Sequence, residues 1–456
     1  MPAETREQTT TAPAALPGSD PVSPPCGRAR AVEWALFWIG MLSLVFANHK
    51  VTWDARRRYD ALDQLLSGEG LSEDRYSLLG PLFATPMWLA GQVAGRPDGW
   101  LAYFNLAVFA LGLLALHLLL RGRIDAGLLR RFLLLLVVGS MIPAHISNFY
   151  AETFSATTVG VGVLAACLAA THPWQRRLGW AGMAFGTANI AATIPALALT
   201  AADRAVRLRR LRYAVPVVAA VLLVLGEAWL RRGDPLDQGY TGERFDYPMA
   251  LGVLAILFSF GKGLVWFVPG LFLPIGRRLR GLYDPDAIDL WGAYRSWLIY
   301  VGAMIAVYAN WWAWSGDLYW GPRFFLLAVL PAALALAVWL SRPETRAWAN
   351  LVLLGALSLS VWVGANSSVF ESSGAPRCYD KANLQEDYCR FGVVESDLWY
   401  PLTDWPGHLA AGRYAQLAFF GVVWAWLAAP VLARLARSAA GWLRAHPMPA
   451  PAQWRW

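Results

Sequence analysis

Charge is scarce in this sequence. Only 15% of its 456 residues are Asp, Glu, Lys or Arg, whereas 57% are hydrophobic. A soluble domain carries about a quarter charged residues, so an ordinary soluble protein is excluded. Cysteine is scarce too: there are four, with no CxxC pair. The six histidines are scattered and form no HExxH motif. Neither pattern has the ligand spacing of a protein-built metal site, so no metal site and no cofactor are expected, with a divalent cation left open. No internal repeat, no second soluble domain and no cleavable signal peptide are read from the chain.

What the sequence has is long apolar runs along most of its length. Each is long enough, or nearly so, to cross a hydrocarbon core of about 30 Å. The runs do not alternate with period two, which excludes a transmembrane barrel. The expected fold is therefore an all-α polytopic membrane protein. The net charge is +8. On a soluble chain that excess would suggest nucleic acid. Here the Lys and Arg residues gather in short loops on one side, as the positive-inside rule requires, and no nucleic-acid partner is expected.

Taken in order, residues 1–31 read as a disordered cytoplasmic tail, and 32–436 as one transmembrane domain. Residues 437–456 read as a second cytoplasmic tail. The first span is 32–48, and the loop 49–99 that follows it is outside. Tyr59, Leu62, Leu65 and Leu66 share one side of a helix over 56–66, which predicts an amphipathic helix at the interface. The apolar but Pro-containing stretch 80–95 reads as a second interfacial or re-entrant helix.

Further crossings are read at 100–120, 132–149, 151–170, 213–230, 291–310, 324–340, 348–366 and 416–436. The stretch 178–201 has arginines at both ends, which one crossing helix cannot satisfy. Two short helices hinged near Asn189 can. With that pair, and with the apolar stretches on either side of Lys262, the sequence predicts about twelve crossings and both termini inside. Arg231 and Arg232 fall on the outer side, against the charge rule. The largest late outer loop is 367–413.

This topology sorts the charges. Inner loops hold Arg, whereas outer loops hold Asp54, Asp60, Glu73, Asp234, Asp246 and Asp317 in the company of Trp and Tyr. Aromatic faces and carboxylates together suit a sugar: CH faces stack on rings, and hydroxyls donate to carboxylates. An ordinary interfacial aromatic belt gives the same composition.

Asp54 lies just outside the first span, where a carboxylate can take a proton from a hydroxyl acceptor. It is equally placed to cap a helix or to pair with Arg56, Arg57 or Arg58. Glu152 begins a helix, as a cap or as a sugar contact. Lys262, between two glycines, and Arg323, at the outer end of a span, can clamp a lipid phosphate or snorkel to the interface. Cys378 and Cys389 share the late outer loop and are expected to form a disulfide in an oxidising compartment.

Several of these residues together resemble a family. Asp54 follows the first span with a juxtamembrane helix behind it. Tyr76, Gly80, Pro81, Leu82 and Pro86 form a Tyr…Gly-Pro-Leu…Pro segment. Residues 255–269 match LLxFSxGKGLxWxxP, with Ala255 and Ile256 in place of the two leucines. Residues 311–324 match WWxWxGxxYxGPRF. Over about residues 32–340 the chain resembles the GT-C-fold glycosyltransferases, in the group of protein O-mannosyltransferases, lipid A aminoarabinose transferases and actinobacterial arabinofuranosyltransferases.

The resemblance implies a polyprenyl-phosphate sugar donor, used on the extracytoplasmic face of a bacterial plasma membrane. The acceptor would be an envelope glycan, lipid or protein. Asp54 would be the general base, with Asp60 as the alternative, and Lys262 and Arg323 would bind the donor phosphate. Tyr76, Glu152, Trp312, Asp317 and Tyr319 are the expected sugar or acceptor contacts. High Ala, Arg and Trp with little Lys suits a high-GC bacterium such as an actinomycete. The competing readings are a transporter or flippase of lipid-linked sugars, and an inactive envelope-assembly protein. A transporter would place ionisable residues inside its spans and often show repeated halves.

Overall fold

The structure is a computed structural model that describes residues 27–169, 173–316, 319–342, 345–370, 386–394, 396–405 and 407–446. Among these residues all regular structure is helical, apart from isolated bridges such as Lys50 with Asn148. The longer helices are α1 (Gly27–Val45), α2 (Asp54–Leu66), α3 (Phe104–Leu120), α4 (Ala126–Val138), α5 (Ala151–Ala166), α6 (Pro173–Ala188) and α7 (Ile194–Leu208). They continue with α8 (Val215–Arg232), α9 (Met249–Phe258), α10 (Leu290–Tyr308), α11 (Val329–Ser341), α12 (Ala347–Val369) and α13 (Ala411–Ala445).

Among the described residues, six helical stretches are long and apolar enough to cross a membrane: Pro97–Leu120, Leu211–Arg232, Leu290–Tyr308, Arg323–Ser341, Ala347–Val369 and Ala411–Ala445. The chain is an all-α polytopic membrane protein. Against the twelve crossings predicted, α5 and α9 are apolar but shorter, and α1 carries Arg28, Arg30 and Glu33. The expected crossing at 132–149 is broken: α4 ends at Val138, and a short helix, Ile142–Ile146, follows. Pro143 cannot continue the α4 hydrogen-bond ladder, which accounts for the break.

The centre of the bundle is α11, in which every residue from Val329 to Leu340 is buried. A helix that is apolar all round belongs inside. It packs on α4, whose residues from Phe132 to Val138 are likewise buried. The most extensive helix–helix contacts are between α5 and α6 and between α12 and α13. Glycine permits the first: a Cβ on Gly162 would lie 2.6 Å from the Gly179 carbonyl oxygen, so only hydrogen fits at that crossing. Glu33 of α1 is 3% exposed and binds Arg130 at 2.5 Å and Arg131 at 3.1 Å, tying α1 to α4.

Two devices outside this bundle shape the site. The first is the segment from Asp54 to Val93. Helix α2 buries Ala55, Arg58, Tyr59, Ala61 and Leu62. Tyr59 and Leu62 join Trp88, Leu101, Phe104, Phe149 and Phe154 in a separate small core. The Trp88 indole donates to Asp63 at 2.7 Å and locks that core to α2. The stretch read as a second interfacial helix holds two short helices, Leu79–Leu82 and Thr85–Val93.

The second device is the break between α6 and α7. It falls at Asn189 and Ile190, followed by a 3-10 turn at Ala191–Thr193. Asn189 accepts from the Gly80 amide at 2.9 Å and donates to Ser155 Oγ at 3.0 Å and the Ala151 carbonyl at 3.3 Å. One side chain thus joins the hinge to α5 and to the first loop segment.

Arg231, anomalous in the sequence, is buried at the end of α8. Its guanidinium donates to the carbonyls of Ser72, Asp74 and Tyr76 at 2.6–2.7 Å and to Glu227 at 2.8 Å. It fastens the first loop segment to α8. A charge spent on four internal acceptors has no bearing on which side the loop faces.

Candidate functional site

A cavity of about 500 Å³ opens between these elements. Its walls come from 54–77, the start of α5, the α6–α7 hinge, the end of α8, the 238–245 loop, and 307–324. Asp54 lies in it as the first residue of α2. The residue before it, Trp53, has φ 55. Positive φ in a bulky residue is strained by about 1–3 kcal/mol, and such residues cluster at functional sites.

The Asp54 carboxylate is 21% exposed and lies 3.0 Å from Arg323 Nη1. Arg323 reaches Glu152 as well, through Nε at 3.6 Å. Its guanidinium stacks on the Tyr319 ring, 3.7 Å from the centroid. The Tyr319 hydroxyl in turn accepts the Asp54 backbone N–H at 3.4 Å. The structure therefore brings together Asp54, Tyr76, Glu152, Trp312, Tyr319 and Arg323, all of which line the cavity.

The electrostatics follow from these contacts. Burial pushes the Asp54 carboxyl upward. The Arg323 charge, with hydrogen bonds from Tyr76, Arg323 and Tyr319, outweighs burial and holds it below its ordinary value. Asp54 is thus a carboxylate at neutral pH. Burial and the neighbouring Asp54 charge push the Tyr76 phenol up to about 12, so Tyr76 keeps its proton and donates it.

The remaining expected residues lie elsewhere. Asp60 is on the exposed side of α2, paired with Arg56 at 2.8 Å. Lys262 is 2% exposed and outside the cavity lining, with Asp397 at 3.0 Å. Cys389 is buried and disulfide-bonded, whereas Cys378 and Asp317 lie outside the described residues. Among the described residues, no cluster of three or more His, Cys, Asp or Glu has the arrangement of a metal site.

Several cavity residues escaped the sequence reading, and three of them bear on the chemistry. Glu243 accepts the indole N–H of Trp311 at 3.0 Å and of Trp312 at 2.8 Å, and pairs with Arg75 at 3.2 Å. It thereby sets the orientation of both indoles and of Arg75, which in turn donates to the Tyr76 hydroxyl at 3.1 Å. Arg58 is the third. It is 8% exposed, lies over the Tyr76 ring at 4.6 Å, and has no hydrogen-bond partner for Nε or Nη1. Its spacing from Asp54, one helical turn, was the available signal: residues four apart share a helix face. In a run of three arginines that signal did not single it out.

Chemically, the site offers an ionised base, a phenol donor, aromatic faces and one uncompensated buried cation. No family model matches the chain, and no curated protein matches it. Among solved structures the chain is similar to ArnT from Cupriavidus metallidurans in the apo state, at 15% identity and a TM-score of 0.44, covering 91% of this chain and 78% of that one. It is also similar to ArnT from Cupriavidus metallidurans bound to undecaprenyl phosphate, at 16% identity and a TM-score of 0.42, covering 93% and 81%.

Proposed function

We propose that this chain is an integral-membrane glycosyltransferase. It moves a sugar from a polyprenyl-phosphate donor to a hydroxyl of an envelope glycan, lipid or protein on the extracytoplasmic face, with Asp54 as general base. The observation that carries this reading is the Asp54 carboxylate in a large cavity, 3.0 Å from Arg323 and one helical turn from Arg58.

In the reaction the acceptor oxygen attacks the anomeric carbon from the face opposite the phosphate. The new C–O bond forms as the bond from the anomeric carbon to the phosphate oxygen breaks, and that bond's electron pair leaves with the phosphate. The acceptor proton passes to Asp54, and the anomeric centre inverts. A carboxylate positioned this way contributes about a hundredfold to ten-thousandfold.

The leaving phosphate gains negative charge and needs a cation. Arg323 is already shared between Asp54 and Glu152, and Lys262 is engaged by Asp397. We therefore assign the phosphate to Arg58, whose side chain lines the cavity one helical turn from Asp54, rather than to Lys262. Arg323 keeps Asp54 charged and oriented. Tyr76, Trp312 and Tyr319 supply the stacking and hydroxyl contacts for the sugar.

The test is sugar transfer from a panel of labelled polyprenyl-phosphate sugars, in membranes holding wild type or Asp54→Asn. Transfer by wild type that falls by at least about a hundredfold in a folded Asp54→Asn supports the proposal. Full activity in Asp54→Asn removes Asp54 as the base. No transfer from any donor, with movement of the lipid-linked sugar across the bilayer instead, replaces the enzyme with a transporter.

A further inference from the structure

Lys262 and Asp397 form a buried pair that the reaction above does not use. Lys262 is 2% exposed and Asp397 5%. The ammonium donates to Asp397 Oδ2 at 3.0 Å, to the Gly321 carbonyl at 3.4 Å and to the Tyr319 carbonyl. An ammonium has three protons, and here three acceptors take them, which leaves none for a ligand. The same Asp397 oxygen accepts the Gly321 amide at 3.3 Å.

Every one of these bonds except the pair itself ends on the turn 319–323. That turn carries Tyr319 at one end and Arg323 at the other, the two residues that hold Asp54. Gly321 sits within it at φ 64, a conformation that suits glycine.

Asp397 belongs to a late segment that is itself bonded to both neighbouring loops. Arg390 donates to Ser315 Oγ at 3.0 Å, and its carbonyl accepts the Gly261 amide at 3.1 Å. The Trp399 indole donates to the Phe260 carbonyl at 3.1 Å. A Cβ on Gly261 would lie 1.7 Å from the Cys389 carbonyl oxygen, so the two backbones meet directly. Removing either charge would leave its partner buried and uncompensated, so the turn cannot relax at little cost.

We propose that Lys262 and Asp397 are positioning residues: their buried ion pair pins the turn 319–323 and so holds Tyr319 and Arg323 against Asp54. The inference rests on the reading of Asp54 as the base. Around that carboxylate the titratable and charged groups are Arg323 and Tyr319 from the turn, Arg75 and Tyr76 from the first loop, Tyr240 from the 238–245 loop and Glu152 from α5, with Arg58 one turn along its own helix. Only the first two depend on the pair.

The experiment uses the full chain in lipid nanodiscs, with Lys262→Met, Lys262→Arg and Asp397→Asn. Three readouts are taken: steady-state transfer against pH, binding of undecaprenyl phosphate, and amide hydrogen exchange at 319–323. The expected result is a fall in kcat of about tenfold to a hundredfold in Lys262→Met and Asp397→Asn, the scale of a small misplacement at the reacting centre. Donor KM and undecaprenyl phosphate affinity stay unchanged. The acid limb of kcat/KM moves to higher pH, exchange at 319–323 quickens, and Lys262→Arg recovers part of the rate.

A raised donor KM and weakened undecaprenyl phosphate binding in Lys262→Met, with Asp397→Asn silent, would overturn the proposal and make Lys262 a phosphate ligand. Wild-type exchange at 319–323 in both variants would overturn it as well. If Asp54→Asn retains full activity, the base assignment fails. Quickened exchange in the pair variants would then still establish the pinning. A Lys262→Met chain that does not fold leaves Lys262→Arg and Asp397→Asn to decide.

Discussion

Asp54 and Arg58 lie one helical turn apart in opposite circumstances. Asp54 has a cation and two phenols around it, whereas Arg58 is buried with two nitrogens unpartnered. A buried uncompensated charge costs stability. Arg58→Met should therefore raise the midpoint of thermal unfolding while raising donor KM by about tenfold or more, the scale of a lost charge-assisted hydrogen bond. A variant that gains stability and loses donor affinity is hard to explain by misfolding. Unchanged KM would remove Arg58 from the phosphate.

The pH behaviour belongs to the same scale. Asp54 has its carboxyl depressed below the ordinary 3.8. Its favourable contribution is present above that ordinary value and is lost as pH falls through the depressed one. Arg323→Met removes the charge that opposes burial, so the Asp54 carboxyl rises. The acid limb of kcat/KM should then move to higher pH, and the loss of stability should be larger at neutral pH than in acid. A pH–rate profile and unfolding midpoints at several pH values check both. An unmoved limb would mean that Arg323 does not hold Asp54 in solution.

At the scale of elements, the hinge between α6 and α7 is the part most legible in the sequence. Arginines at both ends of a stretch one helix long, with an asparagine inside it, do not fit a single crossing. The break is found at Asn189. What the sequence does not contain is the role of that side chain, since Gly80, Ala151 and Ser155 come from two other elements. Asn189→Ala leaves the Gly80 amide and Ser155 hydroxyl short of a partner. It should destabilise the protein by about 1–3 kcal/mol. Thermal unfolding in detergent measures this. A loss near zero would show that the hinge is held by packing alone.

Arg231 teaches the converse. As a loop charge it counted against the outer placement of its loop. As the fastener of Ser72, Asp74 and Tyr76 to α8 it carries no topological information. The charge rule concerns charges that stay solvated, and a sequence does not reveal which arginines a fold consumes.

At the scale of the whole molecule, the chain's own composition determined the class. A core of about 30 Å demands long apolar helices, and each helix reads as a local stretch of sequence. Hence the membrane class, the helical architecture, the loop that carries Asp54 and the two motifs around Lys262 and Arg323 were all visible in the sequence. The pairing of charges was not. Asp54 and Arg323 are 269 positions apart, and Lys262 and Asp397 are 135 apart. Only the tertiary structure decided that Arg323 neutralises Asp54, that Lys262 turns to Asp397, and that Arg58 lines the cavity with two buried nitrogens unpartnered. An ion pair is a contact of about 3 Å between side chains, and in low dielectric each charge is claimed by whichever opposite charge the fold brings near. Hydrophobic length is written along the chain; charge compensation exists only once distant parts of it have met.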